Sequence, residues 1–412
     1  MRFHKQTLRD LDLKNKRVVV RLDLNVPIEN GVIKNKTRIL GTIETLKYLM
    51  ENGCKVVALS HFDRIKDYDD MISGKKSLKI VAEEFKQIFS SKQVEFVEDR
   101  EFDVIKKKIK DTGADLVILQ NTRYYDIDPS TKEAVKWESK NSPVLAQFYA
   151  ELGDVFVNDA FGTSHRAHAS NVGVAERAKD NAVGFLVEKE LKALDYACET
   201  TEGPKVMILG GSKASDKLKL IKEIIGKVDK LIIGGGMSYT FLKAQGKPVG
   251  LSLVEHDYIQ QCNEILSQYP EKIVLPVDHL VADKFEDKPG RVIDAESKDW
   301  NIGMALDIGP KTVEYFSEIL ESAKVVLWNG PMGVFEFDNY SGGTFSILKK
   351  LAELTQKRGV YSLIGGGDSV AAAEKLKMTD QFSFVSTGGG ATLTYLEKGP
   401  VPGIEVIKDK KV

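Results

Sequence analysis

The two halves of this 412-residue chain place different chemistry at the ends of their apolar runs. In the second half, five short apolar runs pass directly into glycine: Val206–Gly211, Leu231–Gly236, Val325–Gly330, Leu363–Gly367 and Phe384–Gly390. In the first half, the corresponding runs pass into Arg, His, Asp and Asn. The contrast indicates two anion sites that a single reaction brings together, one built from backbone N–H groups and one from guanidinium and imidazole groups.

In the first half, four successive runs end in side chains that can bind an anion. Arg21, Asp23 and Asn25 alternate after the first run, so on an extended strand end they point the same way. The later ends carry His61 with Arg64, Asn121 with Arg123, and His165 with Arg166 and His168. The first end alone is equally well explained as a solvated strand end. Ligands of open parallel sheets lie at the carboxyl ends of strands, however, and the repetition over four ends favours a site. Arg38, before a predicted helix, is either a surface charge or a further cation of this site.

In the second half, the glycine runs indicate a site for phosphate groups. A single glycine after a strand is more often only a tight turn, but five in one half favour a functional role. Gly210–Lys213 leads into a helical stretch, so its Lys can lie beside a phosphate. The chain contains no Gly-x-x-x-x-Gly-Lys-Ser/Thr loop, and Gly234–Gly236 does not have the Gly-x-Gly-x-x-Gly spacing of dinucleotide sites.

Two later glycine loops add further groups for binding a nucleotide. Asp368 and Ser369 directly follow three glycines and offer the oxygen ligands that Mg²⁺ prefers on a nucleotide. The alternative for Asp368 is a helix N-cap without metal. Thr387–Gly390 opens the last helical segment, so its free N–H groups form another anion site.

The elements that must position these residues alternate between strand-like and helical stretches. We predict strands at Arg17–Leu24, Lys55–Leu59, Val94–Val97, Leu116–Leu119, Val155–Val157, Lys205–Leu209, Lys230–Ile233, Lys272–Leu275, Lys324–Trp328, Val360–Ile364 and Phe382–Val385. The alternation predicts an α/β fold of two doubly wound, Rossmann-like parallel-sheet domains with a cleft between them. A connecting helix at Leu186–Cys198 ends before Gly203–Pro204, which places the domains at 1–185 and 186–399.

The composition excludes several classes of protein. With 59 basic and 60 acidic residues, the net charge of −1 gives no long-range attraction for nucleic acid or anionic lipid. Only 12 of the basic residues are Arg, and ten of them lie at or before Arg177. The three cysteines lack disulfide or metal-ligand spacing. Residues 1–17 contain no apolar signal segment, so we expect a cytoplasmic protein.

Five segments together resemble the phosphoglycerate kinase family. They are Arg21–Pro27, Phe161–Ser170, Leu209–Lys213, Trp328–Glu336 and Ile364–Asp368. The match runs in order from about Arg17 to about Leu396. The chain departs from the family at His61–Ile65, because the family usually reads His-Leu-Gly-Arg-Pro where this chain has His-Phe-Asp-Arg-Ile. The loss of Gly and Pro changes the turn, and Asp63 places negative charge near a predicted phosphate site.

The resemblance implies reversible, Mg²⁺-dependent phosphoryl transfer from 1,3-bisphosphoglycerate to ADP, giving ATP and 3-phosphoglycerate in glycolysis. It assigns to the phosphoglycerate side Arg21, Asp23, Asn25, Arg38, His61, Arg64, Arg123 and Arg166. It assigns to the nucleotide side Lys213, Lys217, Gly234, Gly235, Asn329, Pro331, Val334, Glu336, Gly366, Gly367, Asp368 and Ser369. The residues expected to stabilise charge in the transition state are Arg38, Lys213, Gly388 and Gly389. Asp368 is expected to bind Mg²⁺.

The resemblance also implies a monomer in which residues of about 400–412 pack back on the first domain. Because each substrate lies on a different domain, transfer requires a hinge motion that brings the domains together and expels water. Two other interpretations remain open at this point. A non-catalytic protein that closes on an anionic solute has the same outline, and a nicotinamide-dependent dehydrogenase shares the fold class but needs the missing glycine spacing.

Overall fold

The computed structural model describes residues 4–297, 299–300 and 303–411. Residues 1–3 of the first predicted domain, 298 and 301–302 of the second, and 412 of the tail therefore lie outside the described residues. The chain divides into two compact units. The N-terminal unit extends to Lys192 and resumes at Pro400, and the C-terminal unit spans Ala193–Gly399. The division falls inside the helix Phe185–Glu199.

A six-stranded parallel sheet forms the centre of the N-terminal unit. The strands of this unit are β1 (Arg17–Leu22), β2 (Ile28–Glu29), β3 (Val32–Ile33), β4 (Lys55–Leu59), β5 (Val94–Val97), β6 (Leu116–Leu119), β7 (Val155–Asp159) and β8 (Asp180–Val183). The sheet order is β5-β6-β4-β1-β7-β8, and β2 pairs with β3 in an antiparallel hairpin. Val18 to Leu22 of the central β1 are buried without alternation, because helices cover both faces of a doubly wound sheet.

The helices of the N-terminal unit follow its strands. They are α1 (Thr37–Gly41), α2 (Ile43–Glu51), α3 (Tyr68–Ile72), α4 (Lys79–Ile88), α5 (Phe102–Asp111), α6 (Pro143–Ala150), α7 (Val174–Arg177) and the first part of α8 (Phe185–Glu199). In α4, Val81, Ala82 and Phe85 recur at helical spacing and are fully buried, so one face of this helix packs into the core. The carboxyl ends of the strands are thereby held at one edge of the sheet.

The C-terminal unit repeats the plan. Its strands are β9 (Lys205–Leu209), β10 (Lys230–Ile233), β11 (Ile273–Val274), β12 (Asp278–Ala282), β13 (Arg291–Asp294), β14 (Met304–Ile308), β15 (Val325–Asn329), β16 (Tyr361–Gly365) and β17 (Phe384–Val385). Its helices are α9 (Leu218–Ile224), α10 (Met237–Ala244), α11 (Ile259–Gln268), α12 (Pro310–Glu321), α13 (Gly342–Arg358), α14 (Gly367–Lys375) and α15 (Gly390–Lys398). A parallel sheet of order β11-β10-β9-β15-β16-β17 confirms the predicted fold class.

One element of the C-terminal unit was not predicted. Strands β12, β13 and β14 form a separate three-stranded antiparallel sheet in the order β13-β12-β14. Its edge strand β13 reads Arg-Val-Ile-Asp, and only Ile293 of this strand is buried. Such a short and mostly exposed strand carries too weak an apolar pattern to be detected from sequence.

The chain after Pro400 contacts the N-terminal unit. It contains the short helix α16 (Pro402–Glu405), and Ile404 and Ile407 are buried. The backbone N–H of Gly403 donates to the carbonyl of Ser164 at 2.8 Å, and the N–H of Gln6 donates to the carbonyl of Lys408 at 2.8 Å. Among residues 4–297, 299–300 and 303–411, no helix is long and apolar enough to cross a membrane.

A buried carboxylate holds the start of α8. Asp159, at the end of β7, is fully buried, and its Oδ1 accepts the backbone N–H groups of Leu186 and Val187 at 2.9 and 3.3 Å. Its Oδ2 has no hydrogen-bond partner within the part of the chain that the structure describes. Burial therefore raises the pKa of Asp159 from about 3.8 to about 6, although the Thr45 hydroxyl opposes the rise.

We expect this carboxylate to make stability fall as the pH rises. Since the folded state binds the Asp159 proton more tightly, the free energy of unfolding decreases as the pH rises from about 4 to 6. Asp159→Asn removes this titration, so chemical denaturation should show the stability of the variant rising relative to the parent by about 2 kcal/mol over that range. Asp12→Asn, at an exposed position, should give a constant difference. Identical pH profiles for Asp159→Asn and the parent would contradict the expectation.

Candidate active site

A basic cavity of about 450 Å³ lies in the N-terminal unit. Three arginines line it: Arg64 from the loop after β4, Arg123 from the turn after β6 and Arg166 from the loop after β7. The remaining lining residues are Ile65, Lys66, Asp126, Ile127, Ala134, Lys136, Ser139 and His168. Carboxyl ends of three parallel strands therefore supply the guanidinium groups, as expected for a ligand site of this fold. The cavity is suited to a small anion.

Arg21 lies behind the lining of this cavity. Only 1% of its surface is exposed, and its Nε donates to the hydroxyl of Ser170 at 2.7 Å. Its guanidinium also contacts the carbonyl of Leu22 and Nδ1 of His61. Burial lowers the pKa of Arg21, and the buried carboxylate of Glu138, which accepts the Ser170 hydroxyl at 2.5 Å, acts in the opposite direction. In this structure Arg21 therefore supports the surrounding loops and does not itself line the cavity.

Two histidines lie among these arginines in neutral form. His61 and His168 are 7% and 6% exposed. Burial, followed by the charges of Arg21 and Arg123, lowers the pKa of both rings, that of His168 to about 3. Neither ring carries a positive charge near neutral pH. The cations of the site are therefore its arginines and lysines.

The other predicted phosphoglycerate-side residues form two separate contacts. Nη1 of Arg38 donates to both carboxylate oxygens of Asp23 at 2.8 Å, and 39% of the Arg38 side chain is exposed. Oδ1 of Asn25 accepts the backbone N–H of Asp63 at 2.8 Å. Asn25 and Asp63 line a different, larger cavity of about 1160 Å³ together with Lys76. The structure thus gathers Arg64, Arg123 and Arg166 into one cavity and leaves the other predicted residues outside its lining.

A second cavity of about 530 Å³ lies in the C-terminal unit. Five predicted nucleotide-side residues line it: Gly235, Pro331, Val334, Glu336 and Asp368. The other lining residues are Gly211, Ser212, Gly236, Tyr239, Leu251, Leu253, Phe285, Met304, Ala305, Leu306 and Gly333. Apolar side chains and glycine backbone form most of the wall, and Ser212, Glu336 and Asp368 supply its polar side chains. Such a cavity accommodates a planar base beside a phosphate chain that the backbone can approach closely.

Two of the predicted glycines have a steric reason to be glycine. Gly235 has φ +64°, and a Cβ there would lie 2.7 Å from the backbone nitrogen of Gly211. Gly366 has φ +89°, and a Cβ would lie 2.6 Å from Nδ2 of Asn329. The loops after β9, β10, β15 and β16 therefore approach one another more closely than side chains allow. This packing brings their backbone groups together around one cavity.

Polar side chains connect these loops behind the cavity. Nζ of Lys217 donates to Oδ1 of Asn329 at 2.6 Å, and the hydroxyl of Ser369 accepts the N–H of Gly330 at 2.5 Å. Nδ2 of Asn329 is buried and has no partner among the described residues. Burial lowers the pKa of Lys217, while the charges of Asp216 and Asp368 act against the decrease. These residues, like Gly234, Gly366 and Gly367, do not line the cavity.

The remaining predicted residues lie on loops that precede helices. Lys213 is exposed and follows the lining residue Ser212. Gly388 is buried, and its N–H donates to the hydroxyl of Ser386 at 3.1 Å. Gly389 has φ +52° and directly precedes α15. Lys213 and Gly389 therefore lie in loops at the carboxyl-end side of the strands, outside the lining of the cavity.

The donor set of the C-terminal unit fits a Mg²⁺ ion that arrives with a nucleotide. Asp368 is exposed, lies in the first turn of α14 and lines the cavity. Within residues 4–297, 299–300 and 303–411, no group of three or more His, Cys, Asp or Glu residues is placed to hold a metal ion. A single carboxylate suits Mg²⁺, which usually keeps waters and substrate phosphate oxygens as its other ligands.

Comparison with known proteins decides between the interpretations. A family model described as phosphoglycerate kinase matches residues 8–399. The chain belongs to the phosphoglycerate kinase family. The resemblance found in the five sequence segments is thereby confirmed, and the chain is an enzyme of glycolysis that transfers a phosphoryl group.

Curated and solved members of the phosphoglycerate kinase family are similar over nearly the whole chain. The phosphoglycerate kinase of Levilactobacillus brevis is 48% identical and covers 98% of this chain and 100% of its own. That of Malacoplasma penetrans is 46% identical over 100% of this chain and 88% of its own. The solved structure from Coxiella burnetii has a TM-score of 0.84 at 35% identity, covering 98% of both chains. That from Pyrococcus horikoshii has a TM-score of 0.82 at 30% identity, covering 97% and 98%.

Several residues that line the two cavities were not predicted from the sequence. Lys66 lies two residues after Arg64 in the loop after β4, and Lys136 lies in the long connection between β6 and α6. A lysine in a loop is ordinarily a solvated surface charge, so the residue type gave no signal. Tyr239 and Phe285 line the glycine-rich cavity, but an aromatic residue in a helix or loop is ordinarily read as core or surface. The signal used was a position directly after a predicted strand. Tyr239 lies inside α10, and Phe285 follows β12, which was not predicted.

Proposed function

We propose that the two cavities divide the reaction between them. The basic cavity of the N-terminal unit holds 3-phosphoglycerate or 1,3-bisphosphoglycerate, and the glycine-rich cavity of the C-terminal unit holds ADP or ATP. The phosphoryl group of the acyl phosphate passes to the terminal oxygen of ADP, which leaves a carboxylate on 3-phosphoglycerate, and the reaction runs in both directions. The observation that carries the proposal is the chemical contrast between the cavities, since one is lined by three arginines and the other by glycine and apolar residues.

The proposed reaction does not need a general base. In the direction of 1,3-bisphosphoglycerate formation the acceptor is a carboxylate, which is already ionised near neutral pH. The neutral rings of His61 and His168 are consistent with this, because the lowered pKa values suit hydrogen bonding better than charge stabilisation. The protein's tasks are to position the substrates and to stabilise charge on the transferred group. We assign the second task to Arg38, Lys213 and the loop Gly388–Gly389.

Magnesium binding is part of the proposal. Asp368 would hold the ion on the nucleotide, and Mg²⁺ supplies neutralisation of the phosphate charges when bound. The hydroxyl of Ser369 already accepts the Gly330 N–H, so we assign Ser369 to holding the loop in place beside Asp368. ATP formation from 1,3-bisphosphoglycerate and ADP should accordingly depend on Mg²⁺.

Because each substrate is assigned to a different unit, we propose that the units approach each other during turnover. Closure also expels water that would otherwise hydrolyse the acyl phosphate. Small-angle scattering should show a smaller radius of gyration when both substrates are bound, and coinciding curves would count against closure. We further propose a monomeric enzyme that acts in the cytoplasm.

The variant Arg166→Ala tests the division of the substrates. Arg166 lines the basic cavity, so its loss should raise the Kd for 3-phosphoglycerate by about tenfold or more, the size typical of a lost charge-assisted hydrogen bond. The Kd for ADP should stay within twofold. Calorimetric titration of each ligand measures both values, and Arg358→Ala, at an exposed arginine of the other unit, serves as the control. Equal losses for the two ligands would overturn the division.

A further inference from the structure

The loop that departs from the family pattern has a defined conformation in this chain. Asp63 has φ +53°, a region that favours glycine. Its carboxylate Oδ1 accepts the backbone N–H of Arg64 at 2.7 Å, and its own N–H donates to Asn25. Asp63 therefore fixes the direction in which the chain enters Arg64, although 61% of its side chain is exposed.

A lysine from the far end of the same loop contacts this turn. Nζ of Lys76 donates to the backbone carbonyl of Arg64 at 2.6 Å and to Oδ2 of Asp70 at 2.8 Å. It also lies 3.7 Å from Oδ2 of Asp63. Only 18% of the Lys76 side chain is exposed. One ammonium group thus contacts three parts of the loop, and one of these contacts is the main chain of Arg64.

The backbone of Lys76 is itself attached to the sheet. Asn121, which follows β6, is fully buried and donates from Nδ2 to the carbonyls of Phe62 and Lys76 at 2.6 and 2.9 Å. Its Oδ1 accepts the N–H of Phe62 at 3.1 Å. A buried amide at the end of β6 therefore holds both ends of the loop, and it fixes the backbone position from which the Lys76 side chain extends to Arg64.

The carboxylate of Asp63 places a negative charge next to Arg64, and the Lys76 ammonium is a nearby cation that can balance it. Arg64 lines the basic cavity beside Arg123 and Lys66, whereas Asp63, its neighbour in the chain, carries a negative charge. An uncompensated carboxylate there would weaken anion binding and attract the Arg64 guanidinium. The Lys76 ammonium, 2.8 Å from Asp70 and 3.7 Å from Asp63, offsets part of the charge of both carboxylates and leaves the guanidinium available to the cavity.

We propose that Lys76 is a positioning residue for phosphoglycerate binding, which holds Arg64 and offsets the charge of Asp63. This inference rests on the proposed function, since it needs Arg64 to bind phosphoglycerate. In the loop after β4, an ion pair and a capped turn then fix the backbone conformation. In the usual family sequence, the backbone preferences of Gly and Pro fix it instead. Lys76 itself need not touch the substrate.

Steady-state kinetics of Lys76→Met test the inference. In the direction that consumes 3-phosphoglycerate and ATP, the KM for 3-phosphoglycerate should rise about tenfold, since hydrogen bonds from a charged group are lost. The KM for ATP and kcat should remain within twofold. Lys75→Met, at the exposed neighbouring lysine, should leave all three values unchanged, and Lys76→Arg should restore the parent KM. A KM for 3-phosphoglycerate that is unchanged in Lys76→Met would overturn the proposal, as would an equal rise in Lys75→Met.

Two further variants separate this proposal from the proposed function. Arg64→Ala should raise the KM for 3-phosphoglycerate at least as much as Lys76→Met does. An unchanged KM in Arg64→Ala would refute the assignment of Arg64 to substrate, whereas a rise in Arg64→Ala without one in Lys76→Met would refute only the positioning role.

In an Asp63→Gly background, which suits the φ of +53°, Lys76→Met should have an effect at least threefold smaller, because the charge to be offset is absent. If Lys76→Met does not fold, Lys76→Gln, which keeps a neutral donor, should give the same direction of change, and no change in its KM would refute the proposal.

Discussion

Replacing Lys213 by alanine is expected to lower kcat by about 10²–10³, the range typical of removing one preorganised donor of charge stabilisation. Lys213 follows Gly211 and Ser212, which line the nucleotide cavity, and the exposed ammonium lies on a loop whose course is fixed by backbone contacts. We therefore propose that its charge acts on the transferred phosphoryl group more than on the nucleotide base. The KM for ATP should change by less than about tenfold, because most contacts to the nucleotide remain.

The measurement is the steady-state rate of ATP-dependent 3-phosphoglycerate phosphorylation with both substrates saturating. Lys222→Ala, at an exposed lysine of the neighbouring α9, should retain the parent rate and serves as the control for a lost surface charge. A decrease below threefold for Lys213→Ala would remove Lys213 from the mechanism. In that case Lys217, whose lowered pKa and contact with Asn329 place it next to the same loops, would become the candidate.

Replacing Arg38 by alanine is expected to lower kcat by at least about 10², again through loss of a positioned cation. Asp23 holds Nη1 of Arg38 with both carboxylate oxygens at 2.8 Å, so the guanidinium is oriented before substrate binds. Such an arrangement makes the charge effective without reorganisation during the reaction. The Kd for 3-phosphoglycerate should change much less than kcat, since the arginines of the basic cavity are intact.

Two related variants sharpen this prediction. Arg38→Lys keeps a charge but loses the fork that Asp23 orients, so kcat should recover only in part. Asp23→Asn should reproduce part of the loss with Arg38 present, because the guanidinium is then less well held. Lys34→Ala, at a nearby exposed lysine in the sequence, should have no effect. An Arg38→Ala enzyme with a kcat within threefold of the parent would exclude Arg38 from charge stabilisation.

The course of the inner strands of the two parallel sheets was predictable from sequence because these strands are buried on both faces. The strand predicted at Lys205–Leu209 coincides with β9, and that predicted at Lys230–Ile233 coincides with β10. Continuous apolar runs of this kind, short and rich in β-branched residues, favour buried strands. The strand predicted at Lys272–Leu275 shortens to Ile273–Val274 at the sheet edge, where only one neighbour is available for pairing.

The site was harder to predict. The end of a strand gives the position of a residue in the sheet, but it does not give the contacts of the residue's side chain. Arg21 follows the expected strand, yet Ser170, 149 residues later, binds its Nε and keeps it behind the cavity. The alternation of Arg21 with Asp23 gave no sign of that partner. Lys76 illustrates the same limit, since its contacts with Arg64 depend on how Asn121 holds the loop. Long-range partners of this kind are set by tertiary packing.

The central claim is that guanidinium groups of one unit hold the sugar acid while the glycine loops of the other hold the nucleotide. A crystal structure of the full chain with 3-phosphoglycerate, ADP and Mg²⁺ tests this most directly. We predict 3-phosphoglycerate in contact with Arg64, Arg123 and Arg166, and ADP against Gly211, Gly235 and Pro331. Density for both ligands within the same unit would contradict the account.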